Sequence, residues 1–337
     1  MILIIGAGIS GLFTGYSLLK KGIDFRIVEK GTIGGKIKTE RYGDTNVEFG
    51  PSVIHSNQKN IVNLCRELNI NLKESSGSFY SFTELLDLKK LPSGKRGQVR
   101  DYLTPENCSV YYETEYALFD DFIKGVKTEG KYLYPEGGFE DIVNRLRSIL
   151  KHNIFKGAIN SVSDHGIVSM IVNDKRIVKR YTSIICCISM RQLYKIVKFS
   201  IPKNITKTMS SVRVYARFDK NLSEINHVFE NKVIYYPYGG LCIKMSHTVL
   251  MLSYTDGDNT NRIEIEKCLR FFGLENNLVD FLIVYYKDAY DLVTSRTDLP
   301  VKIGQNIFQS SFPDRYNQAW LEGNLIQCNK IIEMNLF

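Results

Sequence analysis

The chain has no apolar stretch approaching the roughly 18 residues a membrane-spanning helix needs, so no membrane span is expected. It also lacks any CxxC pair: its seven cysteines, at 65, 108, 186, 187, 242, 268 and 328, are odd in number and scattered. That excludes a disulfide framework and argues against zinc. Reduced thiols in a cytoplasmic or other reducing compartment are the plain expectation. His152, His165, His227 and His247 are isolated, without metal-ligand spacing, so no metal is expected. No Ser-His-Asp or Cys-His set for nucleophilic catalysis is suggested. No internal repeat or low-complexity linker stands out, so two interleaved domains are expected rather than two strung in series. Met1 to Ile5 lacks the basic region of an export signal and runs straight into glycines, so it reads as a buried first strand.

What is present is an ordinary globular balance: 337 residues, 44% hydrophobic and 24% charged, enough for about two domain-sized units. The net charge of +8 is spread among acids. Its densest clusters are Lys89-Lys90 with Lys95-Arg96, and Lys175-Arg176 with Lys179-Arg180. Both read as solvated loops or strand edges, and no nucleic-acid partner is expected.

Patterning gives an α/β order. A β-rich run at 2–5 is followed by a helical stripe through Leu12, Tyr16 and Leu19, stopped at Lys20-Lys21-Gly22. Phe25 to Glu29 reads as a second strand, completing a βαβ unit. A loop is expected over 30–46 and a helix over Gln58 to Leu68, with a Pro-Ser-Gly-Lys turn at 92–95 in a mixed stretch over 80–130. Gly137-Gly138 precedes an amphipathic helix through Leu150, and β patterning returns with 167–172, an Asn173-Asp174 turn and 182–188. Further strands are expected at 211–218, 232–236, 241–245 and 248–254, then helices over 261–272 and from about Trp320 onward. Tyr235-Tyr236 and Tyr285-Tyr286 read as strand or helix packing.

The chemistry starts at Gly6-Ala7-Gly8-Ile9-Ser10-Gly11, between a strand and a helix. Gly6 permits the tight turn, Gly8 lets backbone approach a pyrophosphate, and Gly11 lets the helix pack closely on the sheet. The helix start offers N–H groups and a positive dipole end to phosphates. Glu29, 18 residues past Gly11, stands where a carboxylate can accept from ribose hydroxyls. An acid there, with no following arginine, argues against a 2′-phosphate. The same glycines could form a turn in an α/β protein that binds no nucleotide.

The next segment separates NAD from FAD. Gly31-Thr32-Ile33-Gly34-Gly35-Lys36 is followed by Val47-Glu48-Phe49-Gly50-Pro51-Ser52-Val53-Ile54-His55. This resembles the flavin-containing amine oxidase and protoporphyrinogen oxidase-like FAD-dependent oxidoreductases, in which a Gly-Gly-Arg-type loop follows the strand-end acid. An acid-aliphatic-glycine segment then passes beside the flavin ring. Here Lys36 would supply a point charge where arginine is the commoner residue. The resemblance extends to Tyr134-Pro135-Glu136-Gly137-Gly138-Phe139, to a strand at Ile159 and Val162 whose backbone meets the adenine, to the buried strand 182–189, and to Ala319-Trp320-Leu321-Glu322-Gly323-Asn324. In that family the last helix aims its N-terminus at the flavin. It implies FAD held by Gly6, Gly8, Gly11, Glu29, Gly34, Gly35, Lys36, Gly50, Pro51, Ser52, Ile159, Ser311, Trp320 and Leu321.

Three departures accompany the resemblance. Phe308-Gln309-Ser310-Ser311-Phe312 lacks the usual glycine-acid pair, so serine hydroxyls or Asp314 would substitute. Arg213 stands where many members carry a lysine that holds a water; it is a poor base and suits an anion, or is a surface arginine on an alternating strand. The chain is also shorter than many relatives. Trp320, the only tryptophan, would either wall a substrate slot or pack at a helix start. His55 is expected to build the wall and carries no assigned chemistry.

The implied fold is α/β: a Rossmann-like FAD-binding domain over 1–75, 131–192 and 296–337, with an inserted mixed α+β substrate domain over 76–130 and 193–295. The implied activity is hydride transfer from an amine or related small molecule to flavin N5, with Arg213 and Trp320 nearest the chemistry. The alternative is a non-catalytic or structural protein that keeps the flavin fold. A nicotinamide-dependent enzyme and a sugar-ring mutase fit the later motifs less well. The sequence leaves oligomeric state open.

Overall fold

The computed structural model describes residues 1–74, 98, 101, 118, 120, 131–201, 206–229, 233–236, 240–256, 264–294, 301–310, 314–317 and 321–334. Lys89-Lys90, Lys95-Arg96 and the 92–95 turn lie outside them, as does nearly all of 76–130.

The chain opens with strand β1 (Ile2–Ile5), helix α1 (Ile9–Lys20) and β2 (Phe25–Glu29). Residues 30–46 are not a continuous loop: they contain β3 (Thr39–Tyr42), and its hairpin partner β4 (Thr45–Glu48) follows. The run Thr-Glu-Arg-Tyr is polar on both faces, so it lacks the alternation that marks a half-buried strand. Next come β5 (Ile54–His55), α2 (Lys59–Glu67), β6 (Leu72–Glu74), β7 (Tyr132–Pro135) and α3 (Glu140–Leu150). Then follow β8 (Ile154–Val162), β9 (Ile167–Val172), β10 (Lys175–Arg180), β11 (Ser183–Cys186) and α4 (Met190–Ile196). The second half holds β12 (Thr206–Phe218), α5 (Leu222–Ile225), β13 (Val233–Tyr236), β14 (Gly240–Lys244) and β15 (Val249–Asp256). It ends with α6 (Ile265–Phe272), β16 (Leu278–Val293), β17 (Lys302–Gly304), β18 (Ile307–Gln309) and α7 (Leu321–Glu333).

Two main sheets organise these elements. The first runs β10-β9-β8-β2-β1-β11-β18-β17, and its centre from β8 to β18 is parallel. β1 is buried at every position because both faces are covered, which is why it reads as an unbroken apolar run. Ile2 and Ile4 join a core with Leu12, Leu146 and Leu325, from α1, α3 and α7. Leu3 and Ile5 pack on the other side with Met170, Met190 and Leu193. Asn173 and Asp174 both have positive φ, 48° and 60°, so the β9–β10 turn forms where it is expected. The basic cluster 175–180 is the exposed edge strand β10, where charge discourages edge-to-edge pairing.

The second sheet, β13-β14-β15-β12-β16, is antiparallel. One face carries Val214, Ala216 and Phe218 under Leu222, Cys268 and Phe272. The other packs Tyr215, Val249 and Met251 against Val47 of β4. This sheet is thus pressed onto the hairpin that leads into Phe49-Gly50-Pro51-Ser52.

Candidate functional site

The site forms where β1 breaks at its C-terminal end into the Gly6–Gly11 turn. Gly6 has φ +98°, and a Cβ there would come within 2.7 Å of the Cys187 carbonyl oxygen. A Cβ on Gly11 would stand 1.9 Å from the Gly6 carbonyl oxygen, so helix and turn touch backbone to backbone. Gly8 is different: among the described residues its Cβ would meet nothing within 4 Å. It is the N-cap of α1, has no side-chain cap, and the first turn holds no acid. Among the described residues, the positive end of α1 therefore faces open space beside Gly8.

Glu29 closes β2 next to this turn. Its carboxylate accepts from the Ala7 N–H at 2.6 Å and the Gly31 N–H at 2.5 Å. The second glycine pair lies on the first: Gly34 N–H donates to the Ala7 carbonyl at 2.8 Å, and a Cβ on Gly35 would contact Gly8 Cα at 3.4 Å. Gly34 has φ +99° and no room for a side chain, because a Cβ would stand 2.7 Å from Val143 on α3. Gly50 touches the same loop, its Cβ position being 2.6 Å from the Lys36 carbonyl oxygen. Pro51 and Ser52 follow, half-buried.

Lys36 itself turns elsewhere. Its Nζ donates to the Ala289 carbonyl on β16 at 2.7 Å, and Tyr286 Oη donates to the Lys36 carbonyl at 3.3 Å. Burial lowers the ammonium pKa, while Asp291 and Asp288 pull it back up. Ile159 sits in β8, paired with Met170 of β9 and half-buried against the core below the sheet, on an element adjoining β2.

The two chain ends meet here. Ser310, just past β18, donates its N–H to the Cys186 carbonyl at 3.0 Å. On α7, Cys328 Sγ lies 3.5 Å from the Ser10 carbonyl oxygen, so the last helix rests on the opening of α1. Leu321 begins α7 and is buried. Ser311 and Trp320 lie outside the described residues. The motif residues Glu322 and Gly323 have roles the sequence reading missed. Glu322 accepts from Asn60 N–H at 3.1 Å, Asn60 Nδ2 at 2.7 Å and Ile61 N–H at 3.0 Å, capping α2 from a different element. Gly323 has no space for a Cβ, which would stand 2.3 Å from the Asn317 carbonyl oxygen.

Arg213 is not a surface arginine. It is buried at 6% exposure on β12, its Nη1 donates to the Glu48 carbonyl at 2.9 Å, and its guanidinium lies over the Tyr254 ring at 4.6 Å. Alternation along β12 leaves its direction open; β4 packing on this face decides it. Tyr215 Oη donates to the same carbonyl at 2.5 Å. The Glu48 carboxylate reaches the other way, to Phe139 N–H at 3.0 Å and the Thr39 hydroxyl at 3.0 Å. Burial pushes its pKa up to about 7, against those bonds and the pull of Arg213. Thr39 and Glu140 exchange side-chain-to-backbone hydrogen bonds, each of 3.1 Å, at the start of α3. His55 is buried edge-on against Tyr132, ring centroids 5.4 Å apart. Among the described residues no group of three or more potential ligands could hold a metal, and no helix is long and apolar enough to cross a membrane.

Residues 4–68 match the model of the NAD(P)-binding Rossmann-like domain family. The whole chain is similar to cyclohexylamine oxidase from Brevibacterium oxydans, with 13% identity, TM-score 0.72, and coverage of 99% of this chain and 98% of that one. Putrescine oxidase bound to putrescine gives 13% identity and TM-score 0.70 over 99% and 98% of the two chains. A provisionally assigned protoporphyrinogen oxidase from Exiguobacterium gives 15% identity and TM-score 0.71 over the same shares. A Rossmann-like unit at the start, and similarity along the full length to these oxidases, give the chain the α/β fold of the amine oxidase-like oxidoreductases.

Proposed function

We propose that the chain binds FAD, with the pyrophosphate over the Gly6–Gly11 turn, and is an FAD-dependent oxidoreductase acting on an amine or related small molecule. The observation that carries this reading is the division of labour among the glycines. Gly6 and Gly11 are required by contacts within the protein, whereas Gly8 faces open space at an uncapped helix start. A phosphate fits that cradle, and Glu29 is held where it can accept from a ribose. The Gly34-Gly35 loop and the Gly50-Pro51-Ser52 segment continue the cradle away from Gly8, towards the second sheet. Ser311, Trp320 and Leu321 would close it from the other end of the chain. Residues 1–75, 131–192 and 296–337 would form the FAD-binding domain, and 76–130 with 193–295 the substrate domain.

FAD, when bound, supplies a hydride acceptor for oxidising a C–N bond. This chain's part is to bind, orient and exclude water. Arg213 is committed to the Glu48 carbonyl and the Tyr254 ring, and a guanidinium stays protonated, so it neither takes nor delivers a proton. Trp320 would wall the substrate slot. The names of the putrescine and cyclohexylamine oxidases, whose fold the chain shares, favour an amine. That same commitment of Arg213 favours a second reading, a non-catalytic module retaining the flavin fold.

The test is to purify the protein, record its visible absorbance with and without added FAD, and expose it anaerobically to a panel of amines. Flavin bleached by one amine supports the oxidase. Bound flavin that no amine bleaches supports the module. Protein that takes up no FAD overturns both. Glu29→Ala should weaken FAD binding, and unchanged affinity would remove the ribose role.

A further inference from the structure

The second sheet grips both loops that the FAD reading assigns to the cofactor. From β12, Arg213 Nη1 and Tyr215 Oη converge on one backbone oxygen, that of Glu48, at 2.9 and 2.5 Å. Both donors are buried, and the residue they hold directly precedes Phe49-Gly50-Pro51-Ser52. From β16, Ala289 takes the Lys36 ammonium at 2.7 Å and Tyr286 donates to the Lys36 carbonyl at 3.3 Å. The two gripped loops touch each other where Gly50 meets Lys36. A fold needs one sheet packed on another, but it does not need two buried polar side chains on a single loop carbonyl. Such donors fix position as well as supplying adhesion, since each would be costly to bury without its acceptor.

We propose that Arg213 and Tyr215 are positioning residues: a clasp on the Glu48 carbonyl that sets the 49–52 segment for FAD. The inference rests on the FAD reading for its purpose, though the clasp itself can be measured without flavin. Arg213 thus takes a structural task at the place where relatives are expected to carry a lysine. The clasp also ties the cofactor cradle to β12, the strand at the heart of the proposed substrate domain. A change in that sheet would therefore be transmitted to the 49–52 segment through a single carbonyl.

The test uses the full chain with Tyr215→Phe, which removes only a hydroxyl, Arg213→Met, and Arg213→Lys, which keeps the charge but not the planar fork. Arg270→Met is the control, because Arg270 is an exposed arginine that pairs with Glu275 and lies on α6, the helix packed on the opposite face of the same sheet. The first readout is amide exchange at Phe49, whose N–H donates to the Lys38 carbonyl at 2.9 Å, measured without nucleotide. The second is FAD affinity from quenching of flavin fluorescence. Tyr215→Phe and Arg213→Met should each speed exchange at Phe49 about tenfold, and FAD affinity should fall by a similar factor. Arg213→Lys should recover part of both losses, and Arg270→Met should leave both unchanged. Exchange at Phe49 that stays at the wild-type rate in Tyr215→Phe, or rises equally in the control, overturns the clasp. Accelerated exchange with unchanged FAD affinity overturns its role towards the cofactor. If the unaltered protein takes up no FAD, the FAD reading falls and the cofactor role with it, while exchange at Phe49 still decides whether the carbonyl is clasped.

Discussion

Gly8→Ala separates the fold from the ligand. At φ −71° an alanine is unstrained, and its Cβ would meet nothing within 4 Å among the described residues, so none of these has to rearrange in the ligand-free protein. The stiffer unfolded chain favours the variant by about 0.4–1 kcal/mol. Alanine is the poorer N-cap, which works in the opposite direction. Net stability should therefore stay within about 1 kcal/mol of the original protein. The new methyl group, however, stands in the space assigned to the pyrophosphate. Forcing that contact costs about 1–3 kcal/mol, which lowers FAD affinity roughly five- to 150-fold. Gly11→Ala should behave in the reverse order. Its Cβ would lie 1.9 Å from the Gly6 carbonyl oxygen, so α1 must move off the sheet before any ligand arrives. A loss of about 3 kcal/mol without nucleotide is expected. Urea denaturation of the ligand-free proteins and fluorescence titration with FAD measure the two quantities independently. A Gly8→Ala protein that binds FAD as well as the original refutes the assignment of that space. One that loses as much stability as Gly11→Ala refutes the division between packing and ligand glycines.

Three other outcomes follow from the buried polar groups. Glu322→Ala strands the N–H groups of Asn60 and Ile61 at the start of α2. A loss of about 2–4 kcal/mol in urea is expected, and one below about 0.5 kcal/mol would count against the cap. Glu48 holds its proton more tightly in the folded chain, since burial raises its pKa from 4.5 to about 7. Its contribution to stability is therefore fully present below pH 4.5 and is lost as pH rises through about 7, on the order of 3 kcal/mol across the window. Glu48→Gln should flatten that part of the stability–pH curve, and an unchanged slope would show that another group sets it. Burial pushes the thiols of Cys65 and Cys186 up to about 12 and that of Cys328 to about 11. A thiol reagent at about pH 8 should label these three only after denaturant is added, as peptide mapping would show.

The parts of the molecule legible in the sequence are those whose cause is local. The Gly6–Gly11 turn, the Asn173-Asp174 hairpin and the buried strand at 183–186 are each set by residues within a few positions. β16 was not legible, and the reason is physical. Val279, Phe281, Ile283 and Tyr285 are 51%, 48%, 50% and 54% exposed on one face, while Val284 and Leu292 are buried on the other. Apolar residues on both faces erase the alternation that identifies a strand. Arg213 shows a different limit. Its strand was recognisable, but its direction depended on a carbonyl 165 residues upstream. The cap supplied by Glu322 spans 262 residues, and no local signal marks Asn60 as its partner.

These long spans bear on what a nucleotide-binding turn requires. The glycines at 6, 8 and 11 are local, yet the helix they open is held in place by the other end of the chain. Cys328 meets Ser10 across 318 residues, and Leu325, Cys328 and Ile331 complete the same core as Ile2, Ile4 and Leu12. Without α7, the outer side of α1 and the start of α2 would face water, and the geometry at Gly8 would lose its support. From the opposite side, β12 holds the Glu48 carbonyl through Arg213 and Tyr215, a grip insensitive to the loop side chains, while β16 holds Lys36 by both its carbonyl and its ammonium. The glycine motif therefore supplies the surface on which a phosphate can rest. The rigidity that a binding site there would need comes from contacts that no short motif encodes, and the solved structures at 13–15% identity share the fold while differing at most positions.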